Sequence, residues 1–156
     1  MAVLKSGVSH KRLLTEKIRS DLMARFNVKT FRDLLSDYVI ERDPKMKVVK
    51  GRMDDMPDRL IAVRRGTGRG DVMDGLYEAV SWSVESRGNT MDIDDSERVA
   101  DMVDDIILDY FNNLFYRECH ILSAEWTGSG PQQQTLNDPQ SRYSYVCNYT
   151  IVSSRE

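Results

Sequence analysis

Residues 64–75 read RRGTGRGDVMDG, four glycines with three arginines and two aspartates. A phosphate cradle of the dinucleotide type requires G-x-G-x-x-G at the start of a helix, where free amide hydrogens face the pyrophosphate. Gly66 and Gly68 satisfy the first two positions, but Asp71 occupies the third and would repel a phosphate. A P-loop needs a four-residue spacer followed by Lys-Ser or Lys-Thr, and neither is present. The tripeptide Arg69-Gly70-Asp71 is too short to carry weight.

Carboxylates offer a second chemistry. Asp71, Asp74 and Glu78, joined by helix aspartates, would make a metal-dependent nuclease site, and Asp101 with Asp105 stand one helical turn apart. Oxygen-ligand sites draw carboxylates or carbonyls from separated segments, and no such partner is implied, so a solvated face is the expected reading. Cys119, His120, Cys147 and His10 could in principle hold zinc, but adjacent ligands suit one tetrahedral ion poorly and the spacing matches no zinc motif. Serines lack a G-x-S-x-G setting. No base stands in evident reach of a nucleophile. The sequence therefore gives no catalytic, metal or cofactor site, and the cysteines are expected as buried, reduced thiols.

Elements must position whatever the chain does use. Ser9 can cap a first helix with Leu14, Ile18, Leu22 and Phe26 on one face. Asn27-Val28-Lys29 breaks that pattern, and Thr30 with Asp33 predicts the start of a second helix carrying Phe31, Leu34, Leu35 and Tyr38 until Pro44. Residues 46–50 read as a short edge strand and residues 51–58 as a polar loop. Residues 59–64 and 76–86 read as strands, the latter with Val80, Trp82 and Val84 on one face, so residues 66–75 become a glycine-rich connection. Asp94 with Glu97 predicts the start of a long helix whose Val99, Met102, Val103, Ile106, Ile107, Tyr110, Phe111 and Leu114 form one stripe, with Asp101, Asp104, Asp105 and Asp109 opposite. A strand over 120–127, a long polar loop over 128–140 and an alternating strand over 142–153 complete the chain. The predicted fold is one α+β domain over 1–156: a largely antiparallel or mixed sheet of about four to five strands, a long helix packed on it, and N-terminal helices.

At 156 residues, 40% hydrophobic and 30% charged, the composition is that of a soluble globular domain, and no apolar run nears a membrane span. The opening MAVLKSGVSHKR has no secretion-signal core, which predicts retention in the cell that makes it. Charge is divided unevenly. Residues 1–70 carry 17 Lys and Arg against 9 Asp and Glu, a balance of +8; residues 71–156 carry 5 against 16, a balance of −11. Scattered cations without interleaved aromatics argue against a nucleic-acid footprint. Opposed fields suit copies packed head to tail.

Taken in order, LLTEKIRSDL, LIAVRRGTGRGD, LYEAVSWSVES, DIDDSERVADMVDDIILDYF, GSGPQQQTLNDPQS and RYSYVCNYTIV resemble the tail terminator, or minor capsid, proteins of long-tailed bacteriophages. The resemblance covers most of residues 59–156 and, less specifically, 9–42; residues 28–58 depart from it. It implies a non-enzymatic virion protein without cofactors, made in the host cytoplasm and placed at the tail–neck junction. Such a protein forms a homo-hexameric ring on the tail tube protein, stops its growth and meets the head connector or neck protein. DNA passes the channel without specific binding. Within that reading Arg64, Arg65, Arg69 and Asp71 of the first loop and Gln132 and Gln133 of the second are candidate contacts, and Asp101, Asp104, Asp105 and Asp109 are candidates for the lumen. A neck or head-completion protein of similar fold is the nearest alternative, a metal-dependent nuclease a more distant one.

Overall fold

The computed structural model describes residues 25–73, 75–134 and 142–154. The predicted first helix lies outside the described residues, apart from Phe26 at its expected end, which is buried against Phe31 and Trp82 with ring centroids 5.4 and 5.6 Å away. Helix α1 spans Val28–Arg42. Its cap is Asn27, one of the residues read as a break: the side-chain oxygen accepts from the Thr30 backbone N–H at 2.9 Å and from the Thr30 hydroxyl at 3.0 Å. Phe31, Leu34, Leu35 and Val39 then form the buried stripe, and Asp43 and Pro44 end the helix.

Among the described residues seven strands follow where about four to five were expected. They are β1 (Lys47–Lys50), β2 (Leu60–Val72), β3 (Tyr77–Thr90), β4 (Leu114–Tyr116), β5 (Cys119–Trp126), β6 (Gln132–Gln133) and β7 (Arg142–Ser154). Helix α2 spans Ile93–Tyr110 between β3 and β4. All strands belong to one mixed sheet of order β1-β2-β3-β7-β5-β4, with β6 added to β7. Only β1 and β2 run parallel. Both helices bury their stripes on one face of this sheet, where Val48, Ile61, Val63, Val80, Trp82, Val84, Cys147, Tyr149 and Ile151 meet them. No helix among the described residues is long and apolar enough to cross a membrane.

The glycine-rich connection is a correction. Gly66, Gly68 and Gly70 lie inside β2, and the reversal falls at Met73–Leu76, where Met73 and Gly75 take positive φ of 54° and 83°. Gly66 serves close approach instead of chain reversal: a Cβ there would come within 2.9 Å of the Ser81 carbonyl oxygen. The β2–β3 register shifts between Arg65 and Arg69 at the same place. Helix α2 is capped by Asp92 and not by Asp94, since the Asp92 carboxylate accepts from the Asp95 N–H at 3.0 Å. It also stops earlier than its stripe predicts, because Leu114 belongs to β4.

Two devices fix the layers. At the α2 start, Gly88 lets the helix touch β3: its N–H donates to Ser96 Oγ at 3.1 Å, and Ser96 Oγ donates to the Tyr143 carbonyl at 2.8 Å. Buried Asp95 accepts from Arg59 Nε at 2.9 Å and from the Asn89 N–H at 2.9 Å, while Arg59 also pairs with Asp43. The second device holds the crossover between parallel β1 and β2. A crossover is usually made by a helix, but residues 51–59 form none. Buried Arg87 of β3 donates to the carbonyls of Asp54, Pro57 and Asp58 at 2.8, 2.7 and 2.8 Å and to that of Asp55 at 3.2 Å. Buried Arg142 of β7 donates to the Asp55 carbonyl and to the carboxylates of Asp55 and Asp58 at 3.0 and 3.3 Å. Guanidinium groups thus satisfy the loop where a helix would satisfy itself.

Candidate interaction surfaces

Helix α1, β2 and the 51–59 crossover carry both signs, but unpaired cations gather along the β1 edge and unpaired carboxylates on α2. Lys45, Lys47, Lys50 and Arg52 follow the β1 edge and Arg65 stands on neighbouring β2; all five are exposed and engage no carboxylate. Arg65 lies over the Trp82 ring at 6.0 Å. Arg64 instead donates to Glu85 at 3.2 Å, and Arg69 sits in β2 opposite Val80. Helix α2 holds seven acids against the single Arg98. Asp94, Glu97, Asp101, Asp105 and Asp109 are exposed and unpaired along its outer side. Asp104 differs from the rest of the predicted stripe: it accepts from Trp126 Nε1 at 2.6 Å and from Tyr149 Oη at 2.8 Å, tying α2 to the sheet. Burial pushes the Tyr149 phenol up, so it remains a donor to that carboxylate.

The nuclease constellation does not assemble among the described residues. Asp71 and Glu78 face each other in the β2–β3 register, but Glu78 is fully buried and accepts from Arg25 Nε and Nη2 at 2.7 and 2.9 Å. Asp74 lies outside the described residues, as does His10. Among the described residues no three His, Cys, Asp or Glu side chains are grouped to hold a metal. Cys119 and Cys147 are free and buried, and burial pushes both thiols up, away from thiolate chemistry. Gln132 and Gln133 are exposed, paired through β6 to Val146 and Tyr145. An open groove of about 500 Å³ under the 51–59 crossover includes Arg52, Glu85, Arg87 and Arg142. Its two buried arginines are committed to the loop, which leaves no built anion site.

One constellation was not foreseen. Tyr77 Oη lies 2.5 Å from His120 Nδ1, and His120 Nε2 lies 2.8 Å from Asn113 Oδ1. The amide oxygen can only accept, so the proton sits on Nε2 and Nδ1 accepts from the phenol. Phe115 of β4 stacks on the imidazole at 4.1 Å between centroids and 6° between planes, yet remains 69% exposed. Burial lowers the His120 pKa and raises that of Tyr77, so the network is neutral and donates no ready nucleophile. Its evident effect is to hold an exposed aromatic ring in place.

The shift has a consequence for stability. An unfolded histidine takes up a proton near its ordinary value of 6.5, whereas folded His120 resists it. Stability from this group is therefore present above pH 6.5 and lost as pH falls from there through the lowered folded value. Urea midpoints should drop between about pH 7 and pH 5, and His120→Gln should flatten that slope while lowering stability at pH 7. An unchanged slope in the variant would show that another group causes it.

No protein-family model matches the chain, and no curated protein matches it.

Proposed function

We propose that this chain is a non-enzymatic assembly subunit of a phage virion: a ring-forming tail terminator that caps the tail tube and joins it to the head connector. The observation that carries the reading is the segregation of unpaired charge, with cations along the β1 sheet edge and carboxylates along the outer side of α2. Surfaces that differ on one subunit suit a heterologous interface, and such interfaces close into rings when the rotation allows. Sequence resemblance supplies six as the copy number. DNA passing a channel is retarded by every lysine or arginine that meets a phosphate, and a carboxylate lining avoids this drag. Asp101, Asp105 and Asp109 are accordingly assigned to the lumen, with Asp104 turned to support. The candidate contacts at Arg64, Arg65, Arg69, Asp71, Gln132 and Gln133 then face tube or connector.

Virions carrying Asp101→Lys, Asp105→Lys and Asp109→Lys test the lumen. Slowed DNA ejection is the expected result; normal assembly with unchanged ejection places the helix face outside. Incubating the purified protein with plasmid DNA and magnesium or manganese tests the absence of chemistry. Metal-dependent cutting lost in Asp71→Ala would overturn the proposal.

A further inference from the structure

We infer that copies join through their sheet edges, β4 of one subunit adding to β1 of the next. This rests on the ring reading and names its junction. Among the described residues the sheet has two terminal strands, and they differ in how they meet solvent. Strand β4 ends in a two-residue turn, Arg117–Glu118, with φ of 48° and 66°, so Tyr116 and Cys119 form the bonded pair beside the turn. Bonding alternates along an antiparallel pair, which leaves Phe115 and His120 as a non-bonded pair. Consistent with this, the His120 N–H points the other way, donating to Ser154 Oγ at 3.1 Å. The backbone N–H and C=O of Phe115 therefore point to the free edge. Strand β4 is short, but Leu114, Phe115 and Tyr116 include neither lysine nor proline, and the Phe115 ring is exposed against the His120 imidazole.

The β1 edge has the complementary character. The Gly51 N–H donates to the Val63 carbonyl at 2.8 Å, so by alternation the backbone groups of Val48 and Lys50 face outward. Lys47 and Lys50 flank them, and like charges oppose pairing of two β1 edges. Strand β4 itself carries no charge and the adjoining Arg117 is paired with Asp33 at 2.6 Å, so a β1–β4 pair escapes most of that repulsion, and Lys47, on the sheet face that carries Phe115, gains an aromatic ring for its ammonium. Polarity agrees with a ring as well. The chain of pairings makes β1 and β4 run in the same direction. A ring operation that sets β1 beside the preceding β4 with this common sense makes the added pair parallel.

Disulfide trapping of the full chain tests this. Phe115→Cys combined with Val49→Cys, or with Lys47→Cys for the adjacent register, should give on oxidation a ladder of covalent oligomers ending in a closed species. Neither single variant should extend beyond a dimer. Separately, Phe115→Pro removes the outward N–H and leaves the β4–β5 bonds, so with a native circular dichroism spectrum it should raise the half-assembly concentration about tenfold or more. If the wild type assembles but neither pair cross-links and Phe115→Pro assembles undiminished, the edge junction is wrong and the ring reading stands. If the wild type stays monomeric at every concentration and no ladder forms, both fall.

Discussion

Gly88→Val is expected to lower folding stability by roughly 3 kcal/mol or more, the upper range for overpacking, and to leave much of the expressed protein unfolded. The cause is geometric and unrelated to turn formation. Even a bare Cβ at Gly88 would lie 2.4 Å from the Ser96 backbone nitrogen and 2.6 Å from its Oγ, so the start of α2 must move off the sheet. Moving it breaks the Gly88 to Ser96 and Asn89 to Asp95 hydrogen bonds together and exposes the Asp95 carboxylate that Arg59 neutralises. Gly70→Ala is the control, since an added Cβ there meets nothing within 4 Å. Its stability should stay within about 0.5 kcal/mol of the parent. Urea unfolding of both variants measures the contrast; equal stabilities would refute the close approach at Gly88.

Arg87→Met should be the next most damaging change, at about 2 to 4 kcal/mol, because its stem volume survives while a charged donor to four loop carbonyls disappears. The damage should also be local. Asp55 and Asp58 keep Arg142, so the sheet persists while the 51–59 crossover opens. Hydrogen exchange of that segment should rise by orders of magnitude beyond what the global loss explains. If exchange there changed no more than in β7, the guanidinium would not be what holds the crossover.

Periodic elements were legible in the sequence because burial imposes a period. Val80, Trp82 and Val84 in β3, Cys147, Tyr149 and Ile151 in β7, and Val99, Val103, Ile106 and Ile107 in α2 are all buried as their spacing predicts. Local letters failed where the deciding neighbour is distant in sequence. Glycines at 66, 68 and 70 permit a turn and a strand equally, and the close approach of Ser81 to Gly66 and Gly68 is set by a neighbour strand that their own letters do not reveal. The β4–β5 hairpin was invisible for another reason: its turn holds Arg117 and Glu118 in left-handed conformations where Asn-Gly is the usual signal. Asp104 read as one of four equivalent carboxylates, yet its partners Trp126 and Tyr149 come from two strands. The Tyr77, His120 and Asn113 network likewise joins three segments, and no spacing rule connects them.

The proposal that this chain ends a phage tail is tested most directly by electron microscopy of lysates from the phage that encodes it, with its reading frame interrupted. The expected picture is DNA-filled heads lying apart from tails that have grown to irregular, excessive lengths, with joining restored by adding the purified wild-type protein. Intact particles with tails of uniform length would contradict it.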